Sequence, residues 1–184
     1  MNPNIVVHLL IALIISGVLV YIYRANKVFF IVALLILLLL DAFQFIQGIE
    51  TLPLRIERQS QNATKVSEFL ENQKNVSKVI YPNNNNKNKK YFNKNLYGNL
   101  IGFHIDKGYE ACKTFIDKLK LFYHVANIGD VRSLAIHPSS TTHSQLSKED
   151  QEKAGVFDNY IRLSIGIEHI DDIIGDLDNA LNSI

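Results

Sequence analysis

From about residue 76 onward the sequence predicts a small α/β domain of the α+β kind, a sheet packed against helices. Three observations carry this. Tyr160 to Ile167 alternates, with Ile161, Leu163, Ile165 and Ile167 on one side and Tyr160, Arg162, Ser164 and Gly166 on the other, the period of a half-buried strand. Tyr109 to Phe122 and Ile170 to Leu181 place apolar residues at helical spacing, so each buries one stripe. Short apolar runs bounded by turn residues alternate with these helices, the pattern of a layered domain.

The 184 residues carry 19 basic and 18 acidic side chains, a balance that points to no nucleic-acid partner. Cys112 is the single cysteine, which excludes an internal disulfide and a Cys-based metal box and makes a reducing compartment the default.

Residues 1–40 form a hydrophobic segment of a different character. Ile5 to Tyr23 is apolar apart from His8, Ser16 and Gly17, close to the ~20 residues that cross a bilayer. Arg24 and Lys27 follow, and Val28 to Leu40 is a second apolar block, short for a span by itself. One span or two are both open. Arg24 and Lys27 pull one way, while Arg55, Arg58 and Lys65 pull the other, so charge leaves the topology unset. A cleaved signal peptide fits less well, because no basic residue precedes the apolar core. A shifted, AT-rich reading frame also yields such runs.

Residues 41–75 predict a long linking helix, with a break near Gly48 and Pro53. Ile56, Ala63, Val66, Phe69 and Leu70 make its apolar face. Val76 to Tyr81 is a strand candidate. Asn83 to Asn95 is a low-complexity loop, and its lysines read as loop filler rather than a phosphate track. Leu100 to Ile105 is the next strand. In the helix that follows, Ala111, Cys112, Phe115, Ile116, Leu119 and Phe122 form the stripe, which makes Cys112 a core residue rather than a nucleophile.

Val125 to Ile128 and Ser133 to Ile136 are read as strands around the Gly129–Asp130 turn, and Ser139 to Gln145 as a polar loop. Ser147 with Asp150 three residues on predicts a helix N-terminus, and Gly155 its stop. The last helix opens with Asp171 and Asp172, where acids suit the helix dipole.

The six histidines hold no metal spacing: His137 and His143 are separated by a proline and a loop, and His104, His124 and His169 stand apart. Ser139, Ser140, His143 and Ser144 lack a nucleophile elbow, so no catalytic residue is assigned. Arg162 is the odd residue. A guanidinium between Ile161 and Leu163 is costly unless paired or solvated. Spacing by itself favours a structural salt bridge; the alternative is bidentate binding of a small ligand's carboxylate.

Four stretches settle on a family: DAFQFIQGIETLPLRIERQSQNA (41–63), FIDKLKLFYHVANIGDVRSLAIHPSSTTHSQLS (115–147), AGV (154–156) and IRLSIGIEHIDDIIGDLDNAL (161–181). From Asp41 to the end the chain resembles the C-terminal third of the Cys/Met-metabolism (trans-sulfuration) family of pyridoxal-phosphate enzymes, on the O-acetylhomoserine sulfhydrylase branch. The resemblance implies the small C-terminal domain of a fold-type I enzyme, residues 76–184, with an antiparallel sheet covered by helices on one side. It implies Arg162, in the RLS-G motif, as the grip on the substrate α-carboxylate. It implies Asn127, first residue of the N-[VI]-GD motif, beside the substrate, with Ser133 to Ser144 lining or supporting the same mouth. It further implies pyridoxal phosphate as cofactor, an amino-acid substrate such as O-acetylhomoserine, homo-oligomers and a cytoplasmic setting.

The departures matter as well. The family's Schiff-base lysine, its pyridine-facing aspartate, its ring-stacking tyrosine and its phosphate-binding glycine loop have no counterpart in residues 1–40, where Lys27 sits in no matching motif. Cofactor binding by this chain is therefore in doubt. The expectation is a C-terminal fragment of a sulfhydrylase-like enzyme, inactive alone. The alternative is a non-enzymatic, membrane-anchored interaction or amino-acid-binding module, held in the membrane through residues 5–40.

Overall fold

The computed structural model describes residues 13–18, 20, 21, 23, 24, 27–84, 91, 92 and 96–184. The chain divides into two units, Met1–Thr51 and Leu52–Ile184. In the first, helix α1 spans Lys27–Glu50 and buries no residue. It joins the second apolar block and the start of the predicted linking helix in one element. Of the first apolar run, residues 5–12, 19 and 22 lie outside the described residues, and residues 13–18 are helical.

The second unit opens with α2 (Leu52–Glu71), which carries Pro53 in its first turn, where the missing N–H costs nothing. Then come β1 (Val76–Ile80), β2 (Leu100–Ile105), α3 (Gly108–Lys118), β3 (Tyr123–His124), β4 (Leu134–Ile136), α4 (Lys148–Lys153), β5 (Tyr160–Ser164) and α5 (Ile170–Leu181). The strands form one sheet in the order β1-β2-β5-β4-β3. Of the predicted low-complexity loop, residues 85–90 and 93–95 lie outside the described residues, and Phe92 packs against the core.

The sheet is not wholly antiparallel. β1–β2, β2–β5 and β5–β4 pair antiparallel, while β3 pairs parallel with β4. The loop of residues 125–133 carries the chain back so that Leu134 starts beside Tyr123. The strand expected at Val125 to Ile128 is therefore absent. Its apolar side chains are exposed, and its carbonyls turn to a side chain of β5 instead of a neighbouring strand.

One face of the sheet is the core. α2 packs on β1, β2 and α5, and α3 packs on α5 and β2. Ile161, Leu163 and Ile165 are fully buried there, with Phe103 edge-on to Phe115 at 5.6 Å. Cys112 lies in this core, and burial pushes its thiol up to about 12, which keeps it an inert apolar residue. Ile167, expected on the same face, is 39% exposed because β5 ends at Ser164. Ile56, expected on the apolar face of α2, is also exposed.

α3 stops at Lys118, earlier than its stripe suggests, since Leu119 is extended. The Asp176 carboxylate of α5 accepts the freed N–H groups of Lys120, Leu121 and Phe122 at 2.9–3.4 Å. Ser147 caps α4 as expected, its Oγ accepting from Asp150 N.

Candidate functional site

The alternation of β5 turns Tyr160, Arg162 and Ser164 away from the core. Their neighbours across the sheet are set by register: Gly102 and Ile136 flank Arg162, and His104 flanks Tyr160. Gly102 matters because a Cβ there would collide with the Tyr160 ring and hydroxyl. The phenol can lie across the strand only because that side chain is missing. The His104 ring lies between two others, 5.4 Å from the ring of Tyr160 and 5.7 Å from that of Phe157. Burial raises the Tyr160 phenol above its ordinary value, against the pull of Arg162.

Arg162 is half-buried. Its Nη2 donates to the carbonyl of Ala126 at 2.7 Å and, more loosely, to that of Asn127 at 3.4 Å. Among the described residues no carboxylate lies within ion-pair distance of it. The salt bridge that spacing favoured is thus not what satisfies this arginine. Backbone carbonyls orient the guanidinium and leave its charge uncompensated, and such a fork can accept an incoming carboxylate. The structure brings Arg162 and Asn127 together through the Asn127 carbonyl, with the Asn127 side chain exposed.

The loop that supplies those carbonyls is held by polar ties. Gly129, with φ +78°, donates its N–H to Ser164 Oγ at 3.1 Å, and Asn99 Nδ2 donates to the same oxygen. Asp130 Oδ1 accepts from the N–H of Arg132, which holds its carboxyl below the ordinary range. Arg132 lies over the Tyr123 ring at 4.4 Å. Ile167 N–H donates to Val131 O at 2.9 Å. Glu168 accepts from the N–H and hydroxyl of Ser133 at 2.6 and 3.0 Å, and Gly166 N–H donates to Ser133 Oγ.

α2 adds two more ties. Gln59 Nε2 donates to Asp130 O at 2.6 Å, and Asn62 Nδ2 donates to the carbonyls of Gly166 and Glu168 at 3.1 and 3.0 Å. Sequence reasoning missed both, because an amide on a helix reads as solvated until its distant partner is known.

The Ser/Thr/His loop is stitched to itself. His137 is buried, with Nε2 donating to Asp158 O and Nδ1 accepting from Ser140 Oγ, both at 2.9 Å. Burial holds its pKa below the ordinary value. Ser139 Oγ lies between Gln151 Oε1 and Asp158 Oδ1. Gln151 returns an N–H to His143 O, and Lys148 pairs with Asp158 at 2.8 Å. With their polar atoms so engaged, His137 and Ser139 are scaffold. Of the residues expected at the mouth, Ser133 braces the loop before it, and Ser139 and Ser140 serve this separate network.

Pyridoxal-phosphate enzymes hold their cofactor through a desolvated lysine. Every described lysine here is exposed, and Lys148, the one with a shifted pKa, is moved upward by Asp158. The described residues therefore do not fit the cofactor's aldehyde.

Comparison with known proteins shows the family. A family model described as Cys/Met metabolism PLP-dependent enzyme matches residues 35–182. An O-acetyl-L-homoserine sulfhydrylase of Leptospira meyeri is 52% identical over 149 residues, 78% of this chain and 34% of that protein. O-acetyl-L-homoserine sulfhydrylase 1 of Thermus thermophilus is 45% identical over 146 residues, 77% of this chain and 34% of its own length. A Campylobacter jejuni crystal structure described as an O-acetylhomoserine (thiol)-lyase with N'-pyridoxyl-lysine-5'-monophosphate superposes with a TM-score of 0.69 at 48% identity. It covers 74% of this chain and 33% of its own. The chain thus spans about a third of the length of the relatives it matches. It belongs to the Cys/Met-metabolism family of pyridoxal-phosphate-dependent enzymes.

Proposed function

We propose that residues 52–184 form the substrate-carboxylate side of an O-acetylhomoserine sulfhydrylase-like site. In the parent reaction, sulfide or a thiol replaces the acetyl group of O-acetylhomoserine. The observation that carries this is the half-buried Arg162, oriented by two backbone carbonyls and facing no acidic partner among the described residues. A carboxylate docked on its fork gains charge-assisted, bidentate hydrogen bonds. Asn127 borders the same position and serves as the second substrate contact.

In this reading the chain grips substrate and performs no turnover. Its described lysines are exposed, and none sits in a motif of the cofactor-binding kind. Mixing the purified chain with pyridoxal phosphate and then borohydride tests this, with no lysine fixed in stoichiometric yield as the expected result. A stoichiometric, site-specific adduct on any lysine would contradict it.

A second reading is favoured by α1. The helix is 24 residues long, its most apolar 18-residue window has a mean hydropathy of 2.7, and none of its residues is buried. At ~1.5 Å per residue it extends about 36 Å, enough to cross an about 30 Å hydrocarbon layer. In this reading α1 anchors the carboxylate-binding unit to a bilayer, with Arg24 and Lys27 at one end facing headgroups. Cell-free synthesis with phosphatidylcholine vesicles followed by flotation checks it. Recovery of the full chain with the vesicles after alkaline washing supports the anchor, and recovery without them removes it.

A further inference from the structure

We infer that Gln59 and Asn62, on the buried polar face of α2, are positioning residues for the Arg162 grip. This inference rests on the carboxylate reading proposed above. The loop of residues 125–132 has no apolar anchor: Val125, Ile128 and Val131 are 40%, 57% and 38% exposed. Apolar contact therefore does not fix where the Ala126 and Asn127 carbonyls stand, and hydrogen bonds must. Those carbonyls in turn set the direction of the guanidinium.

Two further ties come from α2. Gln59 and Asn62 are 5% and 2% exposed, so each amide is removed from water and needs a partner in its place. The partner of Gln59 is the Asp130 carbonyl, on the loop itself. The partners of Asn62 are the Gly166 and Glu168 carbonyls, just past β5. Glu168 then clamps Ser133, the residue that closes the loop. α2 thereby holds both ends of the frame in which Arg162 sits: the loop that orients the side chain and the segment that ends its strand. Neither amide touches Arg162. Each acts through backbone carbonyls.

The test is a titration of the full chain with O-acetyl-L-homoserine, followed by amide chemical shifts, for wild type and for Gln59→Met and Asn62→Leu. These replacements keep bulk and remove the donors. Each variant is expected to weaken binding about five- to tenfold, and in an Arg162→Ala background to add nothing. That non-additivity marks positioning through Arg162, whereas general destabilisation would be additive. Ser147→Ala serves as the control, since it removes the cap of α4, whose hydrogen bonds reach no residue of the loop, and should lower the melting temperature without changing affinity. If wild type binds, Arg162→Ala binds measurably more weakly, and both amide variants bind as wild type, the positioning role is overturned while the grip stands. If wild type shows no saturable binding, the carboxylate reading and this inference fall together. Should Asn62→Leu fail to fold, Gln59→Met decides the matter.

Discussion

Helices α1 and α2 make opposite use of their residues. α1 is apolar around most of its circumference and buries nothing. α2 is polar on average, yet it buries Gln59, Ser60, Asn62 and Ser67 beside Ala63, Val66 and Leu70. Hydrophobicity along the chain therefore does not rank these helices by burial. What decides is whether a matched surface exists. α2 has a sheet whose apolar face meets Val66 and Leu70, and a set of backbone carbonyls that meets its amides. Buried amides are tolerated where such partners wait.

Leucine truncation in the two helices should have unequal consequences. Leu70→Ala should cost about 2–5 kcal/mol, because it opens a cavity in a close-packed core. Thermal unfolding of the full chain in mild detergent, read by near-ultraviolet circular dichroism, measures it. Gly102→Val should cost about 1–3 kcal/mol by driving the Tyr160 ring off β2. The same spectra should then change in the tyrosine region, as the phenol moves away from His104. Asp176→Ala should cost about 1–3 kcal/mol, since the N–H groups of Lys120, Leu121 and Phe122 lose a charged acceptor.

A pH series probes the buried His137. Its folded pKa lies below its unfolded value of about 6.5, so the unfolded chain binds the proton more readily. The contribution is fully present above about 6.5 and is lost as pH falls toward the folded value. The melting temperature of wild type should drop between about pH 7 and 5 more steeply than that of His137→Gln. The smallest effect belongs to α1: Leu37→Ala, at a 56% exposed position, should move stability by no more than about 0.5 kcal/mol. A loss comparable to that of Leu70→Ala would show that α1 is covered after all.

Much of the fold was legible in the sequence because periodicity reports burial directly. Ile161, Leu163, Cys112, Phe115 and Leu177 all fall where their spacing puts them. The resemblance carried by 115–147 and 161–181 drew attention to Arg162 and Asn127, and a hydrogen bond joins the two in the structure. Other features depended on partners far along the chain. Gln59 meets a carbonyl 71 residues away and Asn62 one 104 residues away, and no local pattern announces either. The 125–128 run read as a strand because Val125 and Ile128 are apolar, yet its carbonyls accept from Arg162. Spacing pointed Arg162 toward a salt bridge because it could not show that no described acid lies within reach.

A grip on a carboxylate by Arg162 separates a free acid from its ester. The full chain would be titrated with O-acetyl-L-homoserine and with its methyl ester, for wild type and for Arg162→Ala, by following amide shifts around Ala126, Asn127 and Arg162. The expected result is saturable binding of the free acid to wild type, roughly tenfold or more weaker binding of the ester, and no discrimination between the two in Arg162→Ala. Equal binding of acid and ester to wild type, or discrimination that survives Arg162→Ala, would contradict it.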